Sequence, residues 1–137
     1  MPAGAAPHLA ILTERLLQRI RHDLQEQDWE GLRVVHFRLL SCVPAAGTTI
    51  TALAEPLWMT KQAVGQFVAQ LEQSGHLELR IDELDRRRRV VARTGRGDQV
   101  VERVDAAMAA LEQQWAEQVG ERRYAAFRDV LAELVVS

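Results

Sequence analysis

The chain has a single cysteine, no long apolar run, few aromatic residues and almost no net charge, and each shortage closes off a class of protein. Cys42 is the only thiol among 137 residues, so an internal disulfide and a cysteine metal cluster are both excluded. Neither metal nor cofactor is expected. No apolar stretch approaches the roughly 18 residues of a membrane span. Residues 1–7 carry no basic residue leading into an apolar run, so they read as a flexible N-terminal arm rather than a secretory signal. No membrane association is expected, and the expected location is the cytoplasm. A net charge of −2 and a pI near 6.1 at first argue against nucleic acid, because that affinity comes largely from neutralising phosphates.

What is present changes that reading, because the charge is unevenly placed. Arg86, Arg87, Arg88, Arg89, Arg93 and Arg96 fall within eleven positions without one acidic residue, whereas the chain from Asp98 onward is mostly acidic. A local basic patch on an acidic body is a site that the global pI conceals. At 47% hydrophobic residues, the chain can bury a core of its own.

Leu9, Leu12, Leu16, Ile20 and Leu24 recur at helical spacing and predict a long amphipathic helix over residues 8–25. After a break at residues 27–31, Leu32, Val35, His36, Leu39 and Leu40 form a second helical face, stopped by Pro44-Ala45-Ala46-Gly47. Thr49 is placed to cap a short third helix bearing Ile50, Leu53, Ala54 and Leu57. Pro56 lacks an amide donor, so this helix is expected to kink or end near Glu55. Thr60 caps a fourth helix, residues 61–74, stopped by Gly75. Short helix, turn and longer helix make a helix-turn-helix.

In the fourth helix, Val64, Phe67, Val68 and Leu71 share one face, and Gln62, Gln66, Ala69 and Gln73 lie opposite, flanked by Gly65 and Gln70. A solvated face usually mixes Lys and Glu. A carboxamide instead offers a donor and an acceptor together, which suits an adenine edge in the major groove. Residues 76–81 alternate as a strand, residues 89–93 carry β-branched Val90 and Val91, and a polar tip runs between them from Asp82 to Arg88. These make a hairpin wing. Beyond Thr94, Val101, Val104, Met108, Leu111 and Trp115 form a coiled-coil-like seam. Gly120 interrupts it before a last helix with Tyr124, Phe127, Leu131 and Leu134.

This order of elements, together with Asp85-Arg86-Arg87, Val90-Val91, Thr94 and Gly97, and with the stretch from Thr60 through Leu71-Glu72-Gln73-Ser74-Gly75 to Arg80, resembles the MarR (multiple-antibiotic-resistance regulator) family of winged helix-turn-helix transcription factors. The likeness runs from about Leu32 to Glu133. It implies a mainly α fold with a small β-hairpin wing, in which a winged helix-turn-helix lobe (residues 32–97) is flanked by dimerisation helices (residues 8–27 and 98–137) within one domain, residues 8–137. It also implies a homodimer that binds double-stranded DNA, and an effector of small aromatic or lipophilic character. The chain departs from the family pattern at Gln66, where arginine is common, at Arg93, where leucine normally precedes the threonine, and at Pro56 and Trp58 in the helix-turn-helix connection.

The expected DNA contacts are Thr49, Thr60, Lys61, Gln62, Gly65, Gln66, Gln70, Arg86, Arg87 and Arg88. Free amides at helix starts attract phosphate, and guanidinium groups suit both phosphates and a narrow minor groove. Arg87 is the minor-groove candidate, Arg86 and Arg88 are phosphate candidates, and Arg89 is assigned to the returning strand. Asp85 reads as a brace that pairs with a wing arginine. Trp29 and His36 are candidates for an effector pocket, against core packing as the plainer alternative. Cys42 reads as a small buried hydrophobe. Enzyme chemistry has no visible basis: Gly95 and Gly97 do not extend into a phosphate-binding pattern, and His8, His22, His36 and His76 share no ligand spacing. No Ser, His and Asp set is evident. The function expected is a sequence-specific regulator, and the rival reading is a winged-helix adaptor that binds protein without DNA.

Overall fold

The computed structural model describes residues 6–25, 27 and 29–136. Six helices and one hairpin follow each other as α1 (Leu9–Gln25), α2 (Val34–Cys42), α3 (Ile50–Leu57), α4 (Lys61–Gln73), β1 (Leu77–Ile81), β2 (Arg89–Arg93), α5 (Gly95–Val119) and α6 (Glu121–Val135). This is the mainly α winged helix-turn-helix expected. Residues 1–5 of the predicted arm, and residues 26 and 28 around the first break, lie outside the described residues. Two compact units divide between Val101 and Glu102. Helix α1 belongs to the first unit. No helix among the described residues is long and apolar enough to cross a membrane.

The core of the first unit is built from one face of each element. Phe37, Leu39 and Leu40 of α2, Leu53 and Leu57 of α3, Val64, Val68 and Leu71 of α4, and Leu77, Val91 and Ala92 of the hairpin are all buried. These include three of the four residues assigned to the inner face of α4, Phe67 being half-buried, while Gln62, Gln66, Ala69 and Gln73 are exposed. Burial of such side chains contributes about 1.5–3 kcal/mol each relative to exposure. Helix α1 is less engaged, with only Leu24 fully buried. Cys42 is exposed at the end of α2, which corrects its reading as a buried hydrophobe. The inward positions of α2 are already filled by Phe37, Leu39 and Leu40, so the last residue of the helix turns outward.

Antiparallel pairing sets Leu77 opposite Arg93 and Ile81 opposite Arg89. Exposure of the apolar residues rises along β1, from 2% at Leu77 to 66% at Ile81, as the hairpin leaves the body. Strict inside-outside alternation therefore holds only at the base. Thr48 exchanges backbone hydrogen bonds with Val91, at 2.9 and 2.6 Å, and so ties the start of α3 to the wing. Gly47 makes this approach possible, since at φ +85° a Cβ there would meet Val90 Cγ1 at 2.5 Å. Gly97 is equally constrained at the start of α5, where a Cβ would stand 2.2 Å from the His76 carbonyl oxygen.

Helix α3 runs two residues beyond the end expected near Glu55, to Leu57. A proline at the seventh of eight residues costs one hydrogen bond without ending the helix, because the C-terminal cap supplies others. Trp58 N–H donates to Glu55 O and Met59 N–H to Ala54 O, both at 3.1 Å. That is the Schellman arrangement, which asks for a left-handed residue and usually takes glycine. Here Trp58 adopts it, at φ +55°, at a cost of about 1–2 kcal/mol. Helix α4 ends in the same arrangement, with Gly75 N–H to Glu72 O and His76 N–H to Leu71 O. There the left-handed residue is Gly75, at φ +84°.

Candidate nucleic-acid interface

Helices α3 and α4 both start on a threonine cap. Thr49 Oγ1 accepts from Ala52 N–H and Thr60 Oγ1 from Ala63 N–H, each at 3.1 Å. The hydroxyls satisfy one amide apiece and leave other first-turn amides facing outward beside Lys61. Lys61, Gln62 and Gln66 are exposed on α4. Nothing in the chain lies within 4 Å of a Cβ built at Gly65, so no internal contact requires a glycine there.

Gln70 is differently placed from the other glutamines. Its Oε1 lies 3.0 Å from His36 Nε2, while His36 Nδ1 accepts from Arg33 N–H at 3.0 Å. An imidazole that accepts at Nδ1 carries its proton at Nε2, so His36 donates to Gln70. The carboxamide oxygen of Gln70 is thereby held inward, and its NH2 group is the part left for an outside partner. The edge of His36 also meets the Phe67 ring, with centroids 5.6 Å apart.

The wing tip is braced by its acids through the backbone. Asp82 Oδ1 accepts from Leu84 N–H at 3.0 Å, and Asp85 Oδ1 from Arg87 N–H at 3.1 Å. Asp85 O also accepts from Arg88 N–H at 2.9 Å, and Asp82 N–H donates to Arg88 O at 2.9 Å. Asp85 thus pairs with a wing arginine, Arg87, through that residue's main-chain amide. A short carboxylate reaches the amide two residues on more readily than an arginine head that points outward. Arg86, Arg87, Arg88 and Arg89 are all exposed, and none makes an ion pair among the described residues. Arg88 and Arg89 line a cleft of about 500 Å³ with Thr49, Ile50, Thr51, Leu79 and Val91. The α3 start and the returning strand of the wing therefore share one concavity of cationic rim and apolar floor.

Trp29 and His36 are packed in the core, at 3% and 7% exposure. The Trp29 ring lies against Phe37, with centroids 4.8 Å apart, and its Nε1–H donates to Leu24 O. With their ring nitrogens bonded within the chain, both serve packing and orientation in this conformation. Arg93, the departure at the wing base, sets its Nε 3.1 Å from Asp98 Oδ1. Its N–H is not aimed well enough to count as a hydrogen bond, so the contact is a charge pair only.

The structure brings together a cluster that sequence reading left scattered. His76, 1% exposed, has Ser74 Oγ 2.7 Å from Nδ1 and Glu30 Oε2 3.3 Å from Nε2. Arg96 donates to Glu30 Oε1 at 2.8 and 3.2 Å and to Ser74 O at 2.9 Å. Hydrogen bonds from Arg96, then from His76, hold the Glu30 carboxyl below its ordinary range. The line of Ser, His and Glu has the composition of a hydrolytic triad, yet Ser74 Oγ also lies 3.1 Å from Leu71 O, and the imidazole is closed to any substrate. Its effect is to tie the C-terminal end of α4 to the loop before α2 and to the start of α5. Histidines 46 and 34 positions from their partners give no local spacing by which to find them.

By sequence alone the chain matches no family model and no curated protein. Its fold, compared with solved structures, gives a clear result. The reduced form of MarR from E. coli superposes with a TM-score of 0.81 at 18% identity, over 96% of this chain and 99% of that one. The fold is that of the MarR regulators. A probable transcriptional regulator from Pseudomonas aeruginosa matches at TM-score 0.76 and 19% identity, covering 93% and 97%. The PcaV transcriptional regulator from Streptomyces coelicolor, in complex with its natural ligand, matches at TM-score 0.71 and 22% identity, covering 95% and 96%. Such identities carry the MarR-type architecture across the full lobe and leave base preference, effector and partner to this chain's own residues.

Proposed function

We propose that this MarR-like chain is a homodimeric, sequence-specific DNA-binding regulator of transcription in the cytoplasm, acting as a repressor on a pseudo-palindromic operator. The observation that carries the reading is the pairing of an exposed, uncharged glutamine face on a threonine-capped α4 with a wing tip whose two aspartates accept from main-chain amides. Arg86, Arg87, Arg88 and Arg89 form no ion pair among the described residues. Gln62 and Gln66 read base edges, Gln70 presents its NH2 group, Arg87 enters the flanking minor groove, and Arg86 and Arg88 hold phosphates. Thr49, Thr60 and Lys61 place two helix starts against the backbone.

Exposed Leu9 and Leu12 on α1, and Phe127, Leu131 and Leu134 on α6, support dimerisation through both ends of the chain. Half-sites then lie about one helical turn apart. The likeness to PcaV, solved with its natural ligand, supports a small aromatic or lipophilic effector that alters the spacing of the two lobes. The test is selection of bound duplexes from a random pool, which should return a palindrome. The slope of log affinity against log salt should fall by about 1 per half-site in Arg87→Ala. A protein that binds no duplex at low salt is instead the adaptor.

A further inference from the structure

Trp58 is the residue of the helix-turn-helix that folding does least to explain. Its side chain is 93% exposed, so the indole gains almost nothing from burial. Its backbone sits at φ +55°, in the left-handed conformation of a Schellman cap. The equivalent place at the end of α4 holds Gly75 at φ +84°, which shows what the same turn takes when only folding is at stake. A large, stiff, apolar ring has therefore been set on the outside of a turn that favours glycine, two residues before the Thr60 cap of α4 and three before exposed Lys61. Trp115 is half-buried and Trp29 buried, so no other tryptophan stands in such surroundings.

We infer that Trp58 is a DNA-backbone contact, packing its ring on a deoxyribose of the duplex beside the recognition helix and donating its Nε1–H to a phosphate oxygen. The inference rests on the DNA-binding reading proposed above. An indole suits this place because one edge is apolar and the other carries a single donor, matching a sugar next to an anionic acceptor. Its two side-chain torsions are cheap to order on binding. The left-handed backbone holds the residue at the corner between α3 and α4. A contact made there tracks the start of α4, where outward amides and Lys61 draw the same strand. Because the partner is the sugar and phosphate, the contribution is independent of sequence, and it sets the approach of α4 rather than its base preference.

The experiment compares wild type with Trp58→Gly, Trp58→Ala and Trp58→Phe, each measured for thermal unfolding and for binding to two labelled duplexes of roughly three helical turns. One duplex is a selected sequence and the other is random. Trp58→Gly is expected to melt no lower than wild type while losing about tenfold in affinity for both duplexes. Trp58→Phe should recover most of that loss, and Trp58→Ala should bind as weakly as Trp58→Gly but melt lower. Unchanged affinity in a folded Trp58→Gly protein overturns the assignment and leaves the DNA-binding reading standing, whereas a wild type that binds neither duplex removes both. A loss confined to the selected duplex, or a change of oligomeric state without DNA, also overturns it, pointing to a base contact or to a protein interface.

Discussion

Tyr124 is the only tyrosine in the chain, which makes one hydroxyl group readable in isolation. Its OH donates to Glu112 Oε1 at 2.6 Å, and Arg128 reaches the same oxygen at 2.8 Å. Burial first, and then the bond to Glu112, push its pKa up to about 12. A folded-state pKa above the unfolded value means that the protonated phenol stabilises the fold. That contribution is complete below about pH 10 and is lost as pH rises toward 12. Absorbance of tyrosinate followed against pH should show one late transition, and Glu112→Gln should move it down. Two glycines give a second contrast at this scale. Gly65→Ala is expected to raise stability by about 0.5–1 kcal/mol, since mid-helix glycine is costly and the space is open. Gly97→Ala should lower it by about 3 kcal/mol, because the His76 carbonyl occupies the place of the new methyl. Chemical denaturation of both variants measures the difference. Weaker duplex binding by the stabler Gly65→Ala protein would show that α4 approaches DNA closely at that point.

At the scale of the element, the wing is the clearest case of local chemistry shaping a functional part. Two aspartates three residues apart each turn the chain by capping an amide two positions on, and the arginines that follow them are exposed. The kind of brace is testable because asparagine makes the same turn without a charge. Asp85→Asn should bind duplex at least as tightly as wild type, having lost a negative charge near phosphates. Asp85→Ala should bind several-fold more weakly as the tip loosens. Equal loss in both, measured by fluorescence anisotropy at constant salt, would mean that the carboxylate acts by pairing with a guanidinium. Helix α4 is held in a complementary way, through His36 and Gln70 on its side and through Ser74 and His76 at its end, so two buried histidines fix the element whose outer face carries the glutamines.

For the whole molecule, the apolar residues left exposed are concentrated at the two ends of the chain. Phe127 is 43% exposed, Leu131 38% and Leu134 67%, and Leu9 reaches 70% on α1. Aspartate at both Phe127 and Leu131 should turn the proposed dimer into a monomer in sedimentation velocity. It should also lower affinity for a two-half-site duplex by about a hundredfold, since the second lobe no longer binds as part of the same molecule. Binding to a single half-site should change little. A variant that sediments as wild type would place the dimer contact elsewhere.

Much of this architecture was legible before any coordinates. Helical spacing of leucines and valines located α1 and the inner face of α4, and the alternation of residues 76–81 with Val90 and Val91 located the hairpin. Thr49 and Thr60 marked two helix starts because capping is a local bond between a hydroxyl and an amide three residues on. Such signals are short-range and survive in one dimension. Helix α3 continues past Glu55 to Leu57 because the cap beyond Pro56 supplies hydrogen bonds that proline's missing donor does not disturb. Asp85 meets a wing arginine through its main-chain amide, because a short carboxylate reaches the nearer amide more readily than a distant guanidinium. Cys42 turned outward because its neighbours on α2 had filled the interior.

The sequence by itself determined which residues form each element, which face of each is apolar and where the cationic run lies, since all of these follow from periodicity and neighbour chemistry. Only the tertiary structure decided that His36 orients Gln70, that Glu30, Ser74, His76 and Arg96 meet across more than sixty positions, and that Trp58 stands exposed where glycine would serve the turn. Those outcomes depend on how packed elements bring distant residues within a few ångströms, and no local spacing encodes that distance.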